Sequence, residues 1–179
     1  LVGREIVVPG KLTTAFLTLR LAIGDFAFRE LPFEQIPDEV AAGRADVGLL
    51  IHEGQLTYGE LGLAKVLDLG EWWLLETGLP LPLGVNTVRR DVERLEDLSA
   101  VLHEAIVCGL ENRDEALEYA LQFGRGIDEA VADRFVEMYV NQLTRDYGDE
   151  GRQAVAEFLR RGEAIGAFPR PVTVDFVGG

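Results

Sequence analysis

The chain has 179 residues, a length that suits one domain or two small lobes and allows a sizeable core. Apolar residues make up 47% and charged residues 27%, which is typical of a globular protein rather than a disordered one. The formal net charge of −14, with no offsetting cluster of lysine and arginine, argues against nucleic acid and anionic membrane as partners.

The first half of the chain alternates strand patterns with helical patterns. A strand is predicted for REIVVPG, and a helix for LTTAFLTLRLAIG, with Thr13 or Thr14 as its cap and Gly24 as its end. A second strand is predicted for LPFEQI, a short helix for PDEVAAG, and a third strand, covered on both faces, for ADVGLLI. This alternation predicts an open, parallel α/β sheet.

The texture of the sequence then changes. One more strand is predicted near Ala64 to Leu69, and TGLPLPLGVNTVRRD predicts an extended crossing segment with a hinge near Pro80 to Gly84. Four helices are predicted for LEDLSAVLHEAIVCGL, NRDEALEYALQFG, DEAVADRFVEMYVNQLT and DEGRQAVAEFLRRGEAIG, the second with a capping box of Asn112 and Glu115. Residues 1–84 are therefore interpreted as an α/β lobe, and residues 85–179 as a crossing segment followed by C-terminal helices.

A candidate anion-binding turn follows the first predicted strand. The stretch PGKLTTA leads from that strand into a helix, and the free N–H groups at a helix start attract anions, with threonine hydroxyls as further donors. A carboxylate or phosphate suits this turn. The alternative is that one threonine only caps the helix.

His52 follows the third predicted strand, where VGLLI ends. Open α/β sheets bind ligands beyond the carboxyl ends of their strands, so His52 lies on the ligand side of the predicted sheet. An imidazole with an unperturbed pKa of about 6.5 can accept a proton near neutral pH. His52 is therefore either a catalytic base or a structural histidine bonded to loop backbone.

Other reactive residues do not assemble into a recognisable site. His103 is predicted on the outer half of a helix, and Trp72-Trp73 in the core or at a lobe interface. With Cys108 as the only cysteine, a disulfide within the chain is impossible and a cluster of thiolate metal ligands is excluded. Ser99 is the only serine and stands at a helix start, and no phosphate-binding glycine motif is present.

Four stretches occur in an order that resembles the 1,4-dihydroxy-6-naphthoate synthase family of menaquinone biosynthesis, from the futalosine pathway. They are VPGKLTTAF, AAGRADVGLLIHEGQLTY, LDLGEWWLLETGLPLPLG and YVNQLTRDYGDEG. The resemblance implies a periplasmic-binding-protein-like (type II) fold of two lobes around a cleft. Because the chain starts at Leu1 and enters a strand at once, we expect a fragment: the second lobe and the C-terminal helical return, without most of the first lobe.

The resemblance also implies a chemistry. The family cleaves cyclic dehypoxanthinyl futalosine, a small carboxylate, to 1,4-dihydroxy-6-naphthoate without a metal or redox cofactor, in the cytoplasm. Its general base corresponds to His52, and its substrate-binding turn corresponds to Thr13, Thr14 and Ala15. We expect no nucleic acid or membrane partner, and the sequence makes no prediction of the oligomeric state.

Three alternatives share this kind of architecture. One is a solute-binding protein for a small carboxylate, the second a chorismate-processing dehydratase of the sister family, and the third the effector-sensing module of a transcription regulator. The tripeptide Ile-His-Glu at 51–53 favours an enzyme, because a protein that only binds its ligand has no need of a titratable base in the cleft.

Overall fold

A three-stranded parallel sheet forms the centre of the first half of the chain. The strands are β1 (Ile6–Val8), β2 (Phe28–Glu30) and β3 (Val47–Gly48), in the order β2-β1-β3. In the register, Ile6 pairs with Phe28 on one side and with Val47 on the other. The computed structural model that shows this sheet describes residues 1, 3–122 and 129–177. The parallel arrangement agrees with the prediction.

Helices pack against the sheet and form all of the regular secondary structure described in the second half. They are α1 (Thr14–Ile23), α2 (Ile36–Ala41), α3 (Gly54–Thr57), α4 (Leu69–Thr77), α5 (Leu95–Glu111), α6 (Arg113–Leu121), α7 (Glu129–Tyr139), α8 (Gln142–Arg145) and α9 (Gly148–Ala164). Short 3₁₀ turns span Phe33–Gln35 and Tyr58–Leu61. Among the helices of the described residues, none is both long enough and apolar enough to cross a membrane.

The core of the first half forms between the sheet and one face of α1. It contains Ile6, Val8, Phe16, Leu19 and Leu49, all buried. β1 is the central strand, and its three residues are buried, which explains why its sequence is β-branched throughout. α1 contributes Phe16 and Leu19 from positions three apart, as the helical period predicts.

The second strand lies earlier than predicted. LPFEQI was expected to form it, but β2 ends at Glu30 and residues 33–35 form a 3₁₀ turn. Pro32 cannot donate to a strand ladder, and Pro37 fits the first turn of α2, so this segment favours a turn and a helix. β2 has an edge position and is largely exposed, so it lacks the apolar signal of a buried strand.

The third strand is shorter and less covered than predicted. Only Val47 and Gly48 pair with β1, and one further hydrogen bond joins the Leu49 N–H to the Val7 carbonyl at 2.8 Å. Both strand residues are half-buried. A side chain at Gly48 would meet Ile36 Cγ2 at 2.6 Å, so the close packing of α2 on β3 requires glycine here.

The strand predicted near Ala64 to Leu69 is absent. The Asp68 carboxylate instead caps α4 by accepting the N–H groups of Gly70 and Glu71 at 3.0 and 3.1 Å. Partial burial opposes ionisation of Asp68, but these N–H groups and the Lys65 ammonium together hold its pKa below the ordinary value. A capping aspartate followed by a helix was therefore interpreted wrongly as a strand.

The helices of the second half occur where they were predicted, but their ends differ. The capping box at Asn112 is wrong: its side-chain amide donates to the Cys108 carbonyl at 2.8 Å and so closes α5 rather than starting α6. The helix predicted through YVNQLT is interrupted, because Asn141 starts a new helix, α8, with a capping box to Thr144. The predicted boundaries at Gly124 and Asp128 lie outside the described residues.

The apolar face predicted for α5 remains uncovered in the described part of the chain. Leu98, Val101 and Leu102 are 47, 63 and 42% exposed, and no side chain of α5 is buried. The preceding residues, 79–94, form a connection without helix or strand, with a turn at 90–91.

The last helix returns to the first half of the chain. α9 packs on α1 and on α4, where Trp73 is fully buried and meets Phe158 edge-on at 5.4 Å between ring centroids. Arg161 lies over the Trp73 ring at 5.3 Å and its side chain reaches Glu76 at 3.7 Å. Gly162 abuts Phe168 and Leu17 so closely that any side chain there would collide with them.

Stability of this packing is expected to depend on Glu157 in acid. Hydrogen bonds from Arg160 and Arg161, each at 2.7 Å, lower the pKa of Glu157 from 4.5 to about 2. A lowered pKa means that the stabilisation is present above pH 4.5 and is lost as the pH falls towards 2. Urea unfolding between pH 5 and 2 should show a shallower pH dependence for Glu157→Gln. The exposed Glu163 on the same helix provides the control Glu163→Gln, and equal slopes for both variants would contradict this assignment.

Candidate functional site

The carboxyl ends of the three strands open onto one edge of the sheet. β1 leads into the 9–13 turn, β2 ends at Glu30, and β3 continues through Ile51 to His52. Because the strands are parallel and adjacent, the segments that leave them emerge at the same edge. This edge is where ligands of open α/β sheets bind.

Of the two candidate threonines, Thr13 is the one that caps α1. Its hydroxyl accepts the Phe16 N–H at 3.1 Å and donates to the Gly10 carbonyl at 2.8 Å. The Thr13 N–H also reaches the Gly10 carbonyl, at 3.3 Å. Both polar groups of Thr13 are thus used to hold the turn.

The next two residues offer the anion-binding groups of the predicted turn. Among the described residues, none accepts a hydrogen bond from the backbone N–H of Thr14 or Ala15. These amides begin α1, where aligned peptide dipoles place a partial positive charge of about half a unit. The Ala15 side chain is partly buried against the core, and this contact anchors the first turn of α1 to the rest of the lobe.

His52 occupies a strained turn at the same edge. Its φ of 54° is rare for a residue with a side chain and costs about 1 kcal/mol or more. The turn is closed by hydrogen bonds from the Gln55 N–H to the His52 carbonyl (3.3 Å) and from the Leu56 N–H to the Glu53 carbonyl (2.9 Å). The imidazole is half-buried and lies 4.4 Å from the Phe33 ring, centroid to centroid.

A residue from the far end of the chain also reaches this turn. The Gln55 side-chain amide donates to the Tyr139 hydroxyl at 3.2 Å, across 84 residues of sequence. Tyr139 is the last residue of α7 and stands in the YVNQLT stretch. Sequence reasoning missed both residues, because no local signal pairs them.

Glu30 is a further residue that the sequence reasoning missed. Its carboxylate lies beside the 9–13 turn, with Oε2 at 3.7 Å from the position that a side chain on Gly10 would occupy. The signal was present: Glu30 is the polar residue at the carboxyl end of β2. Placing the second strand at LPFEQI concealed it, because Glu30 then preceded the strand.

The remaining candidates lie elsewhere. His103 is exposed on α5, in agreement with the prediction, and Cys108 is an exposed free cysteine on the same helix. Trp73 is buried in the core and Trp72 is half-buried beside it. Within the described ranges, no three His, Cys, Asp or Glu side chains are placed to hold a metal ion.

A parallel α/β sheet with a histidine and a helix start at its carboxyl edge defines a protein of the class that binds small molecules beyond its strands. Comparison with known proteins narrows this class. A family model described as "Menaquinone biosynthesis" matches residues 1–164. The chain belongs to this menaquinone-biosynthesis family.

Two curated relatives agree with this membership, and a solved structure has a similar fold. A protein named 1,4-dihydroxy-6-naphthoate synthase from Thermus thermophilus is 37% identical over 96% of this chain. A protein of the same name from Streptomyces coelicolor is 34% identical over 93% of this chain. The chain spans 65 and 62% of the length of these two relatives. A crystal structure of a protein from Archaeoglobus fulgidus superposes with a TM-score of 0.86 at 44% identity, covering 93% of this chain and 64% of that one.

Proposed function

We propose that the protein is a carbon–carbon lyase of menaquinone biosynthesis that converts cyclic dehypoxanthinyl futalosine to 1,4-dihydroxy-6-naphthoate. One observation carries the proposal. The chain is 37% identical in sequence, over 96% of its length, to a relative named 1,4-dihydroxy-6-naphthoate synthase. Because the chain spans about two thirds of that relative, the activity is proposed for the protein that contains this chain.

The geometry of the strand edge supports the proposal. Thr14 and Ala15 present two backbone N–H groups at a helix start, which suits the substrate carboxylate. His52 stands after the neighbouring strand, with its ring half-buried against Phe33. An anion held at the first position brings a carbon skeleton to the second.

In this proposal the imidazole of His52 acts as a general base. It removes a proton from a hydroxyl group of the bound substrate, and the oxygen electron pair forms a carbonyl group as the adjacent carbon–carbon bond breaks. The carbonyl fragment leaves, while the ring keeps the bonding pair, takes up a proton and becomes aromatic. A positioned base contributes about 10²–10⁴ to a rate. Orientation of the substrate between the two sites supplies the further acceleration. The chemistry of this step requires no electron transfer to or from the protein.

We also propose the two-lobed, periplasmic-binding-protein-like fold, with residues 1–84 in the lobe that carries His52. Three observations support it: the connection at 79–94, the return of α9 to α1, and the uncovered apolar face of α5. An apolar helix face left uncovered is typical of a surface that packs against another part of the protein.

A turnover experiment tests the proposed reaction. The protein, produced from its complete natural reading frame, is incubated with cyclic dehypoxanthinyl futalosine, and product is followed by chromatography with mass detection. Formation of 1,4-dihydroxy-6-naphthoate supports the proposal. Binding by calorimetry without any product would favour a solute-binding protein instead, and consumption of chorismate in a parallel reaction would favour the dehydratase.

Thr14→Pro is expected to raise the KM for this substrate by about 10- to 100-fold, since a hydrogen bond to a charged group is worth about 1.5–3 kcal/mol. Proline removes one N–H yet suits the first position of a helix. Thr13 precedes it with φ −94° and ψ 150°, the extended conformation that proline requires before it. Steady-state kinetics and circular dichroism measure both effects.

Thr14→Val is the matched control for this change. It keeps the backbone N–H and the shape of the side chain but removes the hydroxyl. A large KM effect in Thr14→Pro with a small one in Thr14→Val assigns binding to the amide. A KM unchanged in both variants, with the helix content retained, would rule out the turn as the anion site.

A further inference from the structure

The segment YVNQLT, residues 139–144, forms a rigid break between two helices rather than a continuous one. The Tyr139 carbonyl accepts the Thr144 hydroxyl at 2.8 Å, and the Asn141 N–H donates to the same hydroxyl oxygen at 3.2 Å. The Asn141 side chain in turn accepts the Leu143 N–H at 2.9 Å. These bonds fix the backbone at Tyr139, and with it the direction in which α7 ends.

The Tyr139 hydroxyl extends from this held backbone and contacts the His52 turn through Gln55. Gln55 stands three residues after His52, and its backbone N–H closes the His52 turn at 3.3 Å. Its side chain donates to the Tyr139 hydroxyl at 3.2 Å. One residue thus joins the turn that carries the histidine to a helix end 84 residues away.

The His52 turn needs such a support from outside. The backbone at His52 has a positive φ of 54°, which a residue with a side chain adopts only where its surroundings impose it. The helix that follows, α3, has four residues, too few to be stable by itself. The ring of Phe33 packs against the imidazole but does not hold the backbone of the turn.

We propose that Tyr139 is a positioning residue for His52, and that it acts through its hydrogen bond to Gln55. The expected effect on catalysis rests on the proposed function, whereas the expected effect on the position of the His52 ring does not. Removing the hydroxyl frees the Gln55 side chain, and the turn then samples other backbone conformations. A displacement of about 1 Å at a reacting group can cost about 10²-fold in rate.

Imidazole resonances provide a direct test, because the signals of each histidine of this chain can be identified by substitution. In the protein made from its complete reading frame, His52 and His103 are assigned by the signals lost in His52→Ala and His103→Ala. Tyr139→Phe should shift or broaden the His52 ring signals and leave those of His103 unchanged. Tyr119→Phe, at an exposed tyrosine on α6, is the control and should leave both unchanged.

Kinetics test the catalytic consequence. We expect Tyr139→Phe to lower kcat by about 10-fold or more with little change in KM, because base placement changes while the anion site does not. Gln55→Leu should have a similar effect, and the double variant should be no worse than either single one. Gln55→Glu should retain most of the rate, since its carboxylate can accept the Tyr139 hydroxyl, and should lose that rate when combined with Tyr139→Phe.

The outcomes separate this inference from the proposed reaction. Unchanged His52 signals in Tyr139→Phe, or additive losses in the double variant, would overturn the positioning role. If the wild-type protein makes no naphthoate while the His52 signals still respond to Tyr139→Phe, the reaction assignment fails and the positioning role stands.

Discussion

His52→Ala is expected to lower kcat by about 10²–10⁴-fold, the usual contribution of a positioned general base. Substrate affinity should change little, because in the proposed binding mode the backbone N–H groups of Thr14 and Ala15, rather than the imidazole, hold the carboxylate. Alanine has a Cβ atom as histidine does, so the backbone strain at φ 54° is about the same in the variant and in the wild type. Single-turnover kinetics with enzyme in excess of substrate measure the chemical step, and calorimetry measures binding.

Two further variants separate base chemistry from shape. His52→Gln keeps a polar side chain of similar size that cannot take up a proton, and it should be as slow as His52→Ala. His103→Ala removes the other, exposed histidine and should leave the rate unchanged. Added imidazole should restore part of the rate of His52→Ala by entering the vacated space. Wild-type turnover in His52→Ala would eliminate this residue as the base.

Trp73→Ala is expected to reduce the free energy of unfolding by about 3–5 kcal/mol, the range for truncating a large buried aromatic residue. Trp73 is fully buried between α4 and α9. Its ring contacts Phe158, and its indole N–H donates to the Pro80 carbonyl at 3.2 Å. The change therefore removes packing between the helices and also leaves a carbonyl of the crossing segment without its donor.

Matched variants on the same helix distinguish these two contributions. Trp73→Phe retains an aromatic ring but not the indole N–H, and should lose less than Trp73→Ala. Leu75→Ala lies at a position that is 89% exposed and should stay within about 0.5 kcal/mol of the wild type. Urea unfolding followed by circular dichroism gives all three values. A loss below about 1 kcal/mol for Trp73→Ala would show that the α4–α9 contact contributes little to stability.

Helices whose ends carry local signals were predicted well from the sequence. α1 has a threonine cap and a closing glycine, Gly24, with φ 78°, and it lies where LTTAFLTLRLAIG placed it. α9 likewise follows its amphipathic pattern. In both helices the hydrogen bonds and the apolar spacing lie within the segment itself, so that sequence neighbours are also neighbours in space.

Strands were predicted less well, for the opposite reason. β2 and β3 have three and two paired residues, and their partners lie some twenty or forty residues away on β1. A strand this short has no recognisable sequence pattern of its own. Pro32 precedes a 3₁₀ turn and Asp68 caps a helix, and the structure was needed to show that neither residue belongs to a strand. Misplacing β2 also concealed Glu30 beside the 9–13 turn.

By itself the sequence determined the family, the position of α1 with a threonine at its start, and the position of His52 after a strand, because each of these depends on residues that are close together in the chain. Only the tertiary structure decided which strands are neighbours, that Glu30 lies beside Gly10, and that the Gln55 side chain next to the His52 turn donates to the Tyr139 hydroxyl. These contacts join distant segments, and they form because burying the strands, α1 and Trp73 leaves few ways for the chain to fold back on itself.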